Sequence, residues 1–169
     1  EMDKPRNTGS AELDFLHGMI PHHQSAVEMS KSYLEYAGKG GEFKGLAENI
    51  ISAQNKEIDQ MNTMIERFEK AESPDSDKEE AYLEEYRAMM DTHHSSHTAA
   101  KTTDLEAAFA QGMSMHHQMA VDMAEIILKY TDDEELTRFA DNIVTQQEKE
   151  IDEMQSYLDK NTDGGNHKH

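Results

Sequence analysis

Met-x-x-His-His occurs three times in this chain, as Met19/His22/His23, Met90/His93/His94 and Met113/His116/His117. On an α-helix, positions i, i+3 and i+4 lie on one face, so a single turn presents a thioether and two imidazoles together. Other donors extend each face. Met29 and Met123 follow the first His of the outer copies by two turns, Met119 adds a thioether to the last copy, and Met89 and His97 flank the middle one. Thioether with imidazole is a donor set for a soft ion, Cu(I) above all, whereas carboxylate and carbonyl sets suit Ca or Mg. Ag(I), soft and of the same charge, is the expected competitor. Zn(II) accepts imidazole but gains little from Met. A thioether has no proton to lose, while a His must be neutral to bind, so the imidazole share of such a site fades below its ordinary pKa of about 6.5.

Packing accounts for other residues of the same types. Met61, Met64 and Met154 fall on an apolar stripe and read as core fillers. Met2, His167 and His169 carry no assigned role. A lone helical His is usually structural, but three His-His pairs with Met on the same face are not explained by packing. His17 falls on the far side of an ideal helix from Met19, with Pro21 standing in that turn; its repeat partner is Gln111.

The elements that must position these ligands form a repeat. His17-Gly18-Met19-Ile20-Pro21-His22-His23-Gln24 matches Gln111-Gly112-Met113-Ser114-Met115-His116-His117-Gln118, and Ala26-Val27-Glu28-Met29 matches Ala120-Val121-Asp122-Met123. Further on, Gln54-x-x-Glu57-Ile58-x-x-Met61 returns as Gln147-x-x-Glu150-Ile151-x-x-Met154. Ile50, Gln54, Ile58, Met61, Ile65 and Phe68 step by three and four, as do their counterparts from Ala140 to Leu158, so both Gln residues lie on a buried stripe and need partners there. The spacing predicts helices over about 11–36, 42–71, 76–99, 103–130 and 132–160. Gly38-Lys39-Gly40-Gly41 ends the first, Ser73-Pro74 follows the second, and capping boxes at Ser76/Glu79, Thr103/Glu106 and Asp132/Glu135 open the rest. The expectation is an all-α, ferritin-like four-helix bundle in one domain, 10–160. Two helical hairpins (10–71 and 103–160) are joined by a connecting helix (76–99), and a disordered tail follows (161–169).

Composition narrows the function. Lys and Arg number 16 against 35 Asp and Glu, a formal charge of -19, which excludes nucleic acid and anionic membrane surfaces as partners. No apolar run approaches the roughly 20 residues of a membrane helix. The chain has 0 Cys, so it has neither disulfide nor thiolate site. Soft-metal binding without thiolate points to an oxidising compartment, periplasmic or extracellular. The polar opening residues carry no signal-peptide pattern, as in a mature export product or a chain trimmed at its start, and the sequence does not choose between the two.

The first repeat, His-Gly-Met-Ile-Pro-His-His-Gln-x-Ala-Val-x-Met, resembles the signature of a bacterial family of ferritin-like helical bundles long known only as a domain of unknown function. Its mid-chain Met/His cluster and doubled arrangement are similar to those of a periplasmic copper-binding protein of copper resistance. The resemblance spans about residues 10 to 160; the second copy departs from it with Gln111 and Ser114-Met115. It implies an exported soluble protein that binds Cu(I), and Ag(I) in competition, as a copper chaperone or sequestering protein. Another copper-export or copper-resistance protein would be its partner. The implied ligands are the three Met-x-x-His-His sets with Met29 and Met123.

Two enzymatic readings compete. A ferritin-like di-iron oxidase needs Glu residues and Glu-x-x-His on facing helices, yet no Glu stands three residues before any His, and Asp14-x-x-His17 is the nearest approach. A copper-dependent oxidase or reductase needs a substrate pocket that no motif announces. The expectation is therefore binding without catalysis.

Overall fold

Five helices, α1 (Ala11–Ala37), α2 (Lys44–Ala71), α3 (Ser76–Ser96), α4 (Leu105–Tyr130) and α5 (Glu134–Asn166), make up the fold. The computed structural model describes residues 10–71, 75–96 and 104–166, without the side chains of Lys39, 94–96 and 161–166. Thr103, His97, Met2, His167 and His169 therefore lie outside the described residues, as does the side chain of His94.

Each helix end has a local cause. Ser10 caps α1, its Oγ accepting the Leu13 N–H at 3.3 Å. Gly38 stops α1 in the left-handed region (φ 66°), donating its N–H to the Leu34 carbonyl. The turn then folds tightly on Tyr33. A Cβ at Gly41 would lie 2.5 Å from the Tyr33 hydroxyl oxygen and 2.9 Å from the Ala37 Cβ. That hydroxyl accepts the Phe43 N–H (2.8 Å) and donates to Glu106 Oε1 (2.5 Å), tying the first hairpin to the start of α4.

The three expected capping boxes each sit one residue from the observed cap. Asp75 Oδ1 takes the Lys78 N–H at 3.1 Å, Asp104 Oδ1 the Glu106 N–H at 3.2 Å, and Asp133 Oδ2 the Leu136 N–H at 2.9 Å. In each case an Asp lies beside the expected residue, and its short carboxylate both accepts the hydrogen bond and meets the positive end of the helix dipole. α5 also runs to Asn166, past the end expected near Lys160. Gly164 and Gly165 lower helix propensity by about 1 kcal/mol each, but no Pro imposes a stop.

α1 packs on α2 and on α4, and α4 packs on α5. α1 and α4 run antiparallel, since Gly18 faces Met123 while Gly112 faces Met29. The repeat thus becomes a pseudo-twofold axis that exchanges the two hairpins. α3 lies outside the four, on α1 and α4. The apolar core divides in two. One cluster holds Phe15, Met19, Met61, Tyr82, Met123 and Ile143; the other holds Tyr33, Phe43, Ile50, Phe109, Met113 and Met154. Between them every helix of the bundle contributes buried polar residues: His22 and His23, Gln54, His117, and Gln147 with Glu150. Met61, Met64 and Met154 are buried core residues, as their stripe requires. Among the described residues no helix is long and apolar enough to cross a membrane.

Candidate metal centre

The polar layer is where the two outer motifs meet. His22 of α1 and His116 of α4 stack face to face, ring centroids 3.7 Å apart and 24° between planes. Beside them His23 and His117 are 0% exposed. Each is held by the second helix of its own hairpin: His23 Nε2–H donates to Glu57 Oε1 at 2.7 Å, and His117 Nε2–H to Glu150 Oε1 at 2.6 Å. Glu150 is itself buried, and its other oxygen accepts the Gln146 amide at 2.8 Å. A carboxylate accepts only, so in the neutral ring the hydrogen sits on Nε2 and the lone pair on Nδ1. Both Nδ1 atoms are buried without a hydrogen-bond partner, and so are the Nε2 atoms of His22 and His116. Four imidazoles thus each keep a nitrogen turned from water with nothing in the protein to satisfy it, an arrangement that costs folding free energy unless something else uses it. A carboxylate fixing the far nitrogen of a His is the usual support for a metal-ligating imidazole.

Electrostatics keep two of the rings ready. Burial, with the nearby His116, His23, His117 and His93 acting in the same direction, pushes the His22 pKa well below its ordinary value. Burial, with His117 and His23, lowers that of His116 to about 3. Both are neutral at pH 7, so a cation entering here displaces no proton from them.

Thioethers flank the layer from both repeats. Met19 and Met123 share one buried cluster, and half-buried Met29 packs against the cluster of Met113. The methionine of each motif lies against the glycine of the other. A Cβ at Gly18 would lie 3.4 Å from Met123 Cε, and one at Gly112 3.5 Å from Met29 Cε. Among the described residues no three imidazole or carboxylate groups stand close enough to hold one ion. Sulfur stands beside these imidazoles, and thioether with imidazole is a donor mix that suits a soft cation.

The sequence presented Met19/His22/His23 and Met113/His116/His117 as two clusters; they form one. The middle motif abuts it. His93 is half-buried on α3, its Nε2 at 2.7 Å from Asp122 Oδ2 of α4, and Met89 and Met90 pack against the cluster of Met19 and Met123. His94 and His97 fall where no side chain is described. Met119 is half-buried and belongs to neither apolar cluster. His17 is half-buried on α1, which continues through Pro21. Glu57, Glu150 and Asp122, which hold His23, His117 and His93, are the residues of this layer that motif reasoning missed. The repeat of Gln-x-x-Glu-Ile marked the first two as equivalent positions, and Asp122 lay inside the motif alignment opposite Glu28.

The model of a family described as a domain of unknown function (DUF305) matches residues 12–158. The chain belongs to the DUF305 family. Among solved structures it is similar to CopM in a Ag-bound form, with 29% identity, 88% of this chain and 95% of that chain covered and a TM-score of 0.66. It is similar also to CopM in the Cu(I)-bound form (28% identity, coverage 88% and 96%, TM-score 0.65). A DUF305 fragment from Deinococcus radiodurans shares the fold at 24% identity, with coverage of 93% and 99% and a TM-score of 0.62. Among curated proteins, uncharacterized protein L153 of Acanthamoeba polyphaga mimivirus is 40% identical over 55 residues, 32% of this chain. That match spans 36% of the relative's length.

Proposed function

We propose that this DUF305 protein binds Cu(I), and Ag(I) in its place, at the layer where its two hairpins meet. It would act outside the cytoplasm as a copper carrier or buffer and not as an enzyme. The observation that carries the reading is the set of four buried imidazole nitrogens without protein partners, bracketed by thioethers of both repeats. His23 and His117 would ligate through Nδ1, held in that tautomer by Glu57 and Glu150; His22 and His116 would ligate through Nε2 after their stack opens. Met19, Met29, Met113 and Met123 would supply the sulfur: with no three imidazoles within reach of one ion among the described residues, each ion would take at most two of these rings and its remaining donors from the thioethers. Met89, Met90 and His93 supply a second group of donors on α3, against the same layer. Copper and silver forms of CopM, a structural relative over most of its length, support the choice of ion. A thiol-free donor set, with 0 Cys in the chain, suits an oxidising compartment. Delivery to or from another copper-export or copper-resistance protein would follow from reversible binding.

The test is a Cu(I) titration against a competing chelator, followed residue by residue by NMR. Saturable binding that perturbs the His22, His23, His116 and His117 rings and the methyls of Met29 and Met123 is expected. Affinity no better than that of free Met and His, or perturbation confined to other residues, rejects the proposal.

A further inference from the structure

The connecting helix docks on one of two equivalent surfaces. α3 packs on the first half of α1 and the second half of α4, burying Tyr82, Leu83 and Tyr86 among Phe15, Met123 and Ile127. Polar clamps fix it there: His93 to Asp122 at 2.7 Å, and Glu85 to Lys129 (2.7 Å) and to the Tyr130 hydroxyl. The pseudo-twofold axis carries this surface onto another, replacing Phe15 by Phe109, Asp122 by Glu28, Met123 by Met29, Ile127 by Tyr33 and Tyr130 by Tyr36.

On that second surface no described helix lies. The structure has there an open groove of about 400 Å³, lined by Glu28, Met29, Tyr33, Tyr36, Leu105 and Phe109 among others. Tyr36 is 77% exposed and Leu105 36%, and these are the exposed large apolar side chains among the described residues. Both flank the groove. Their counterparts under α3 are covered: Tyr130 is half-buried against Glu85, and Ala11 is 0% exposed. The same architecture thus shows, within one chain, what a filled and an open version of this surface look like.

We infer that the groove between α1 and α4 at Tyr36 and Leu105 is a docking site for an amphipathic helix of a partner protein. The helix is built like α3, with a stripe of Tyr, Leu or Met and an imidazole or amine opposite Glu28. The occupant is a partner and not a second copy because the chain carries -19 charges and two copies repel. Glu28 lines the groove and is exposed there, so the partner helix carries a cation opposite it. A single helix in a groove is a known mode of recognition, anchored by residues at i, i+3, i+4 and i+7. The inference rests on the repeat and on α3, not on copper, and stands or falls independently of the metal site.

The test uses the full chain, isotope-labelled for NMR, and a synthetic peptide of residues 76–96 carrying Glu80→Lys and Glu84→Lys, changes at positions that α3 leaves exposed. Saturable binding with a Kd on the order of 100 μM or tighter is expected, with shifts at Met29, Tyr36, Leu105 and Phe109. Tyr36→Glu, and separately Leu105→Glu, should each weaken it at least about tenfold, while unchanged circular dichroism shows that each variant still folds. Absence of saturable binding overturns the inference. So do shifts confined to Met123, Tyr130 and their neighbours, which would mean exchange with α3. Cross-peaks placing residues 97–103 on Tyr36 in the free chain would overturn it too, as would self-association that Tyr36→Glu abolishes.

Discussion

Glu150 contributes no atom to the proposed coordination set, yet it fixes which nitrogen His117 offers. Glu150→Gln keeps the shape and an acceptor oxygen but removes the charge that raises the basicity of the ring. Loss of such a supporting carboxylate typically weakens metal binding by about tenfold to a hundredfold. Chelator competition should therefore show Cu(I) affinity down by at least about tenfold, with a similar result for Glu57→Gln; unchanged affinity in both would take the carboxylates out of the site. Titration supplies a second prediction at this scale. An unfolded His takes up a proton near pH 6.5, whereas folded His116 resists down to about 3 and folded His22 also lies well below its ordinary value. The unfolded chain thus binds more protons as the pH falls, so this part of the stability is intact above about pH 6.5 and drains away below it. The limiting slope is about 1.4 kcal/mol per pH unit for each such group. His116→Phe should lose less in melting temperature between pH 6.5 and pH 4.5 than the parent, and an equal loss would mean that the folded ring protonates. The Met and His residues of the candidate site were legible because helical spacing puts them on one face. The supporting carboxylates were not, because each comes from a different helix and only the packed hairpin brings it to its His.

The starts of α3, α4 and α5 were legible to within a residue, and the error at those starts has a single chemical origin; the end of α5, six residues past the expected Lys160, was not, because no Pro marks a stop there. At Ser76, Thr103 and Asp132 the pattern S/T/D-x-x-E marked the right turn, but a neighbouring Asp took the cap each time. Asp133 bears more than its own helix. Its Oδ2 caps Leu136 and also meets Arg67 Nη2 at 2.7 Å, while Oδ1 takes Nη1 at 2.9 Å, so the end of α2 is pinned to the start of α5. This bidentate pair with Arg67 lowers the Asp133 pKa below the ordinary carboxylate value. Asp133→Ala should cost about 1–2 kcal/mol, the upper range for a lost cap, read as a shift in the urea midpoint. Asp132→Ala, at an exposed position, should stay within about 0.5 kcal/mol. If the two variants were reversed in effect, the cap would belong to Asp132 after all.

For the whole molecule, the repeat announced two hairpins and hence a bundle. It did not announce that the two motif copies would face each other, because periodicity names a face within one helix and leaves open which faces meet across helices. That meeting makes the proposed metal site a joint product of both repeats, so occupancy should staple the two hairpins together. Ag(I), which undergoes no redox change under these conditions, is the cleaner probe. A ligand that binds only the folded state at about 100 times its Kd adds roughly 2.7 kcal/mol of stability. For a chain of this size that raises the melting temperature by roughly 5–10 °C. Replacing Met19, Met29, Met113 and Met123 together by Leu nearly conserves core volume, and such swaps usually cost less than about 1.5 kcal/mol each. The quadruple variant should therefore still unfold cooperatively without metal, at a lower temperature, while most of the silver increment disappears. Replacing only Met19 and Met29, the pair from one repeat, should already remove part of the increment, since half of the proposed sulfur donors are then gone. A full silver increment in the quadruple variant would show that the imidazoles act without these thioethers, and the soft-ion argument would lose its chemical basis.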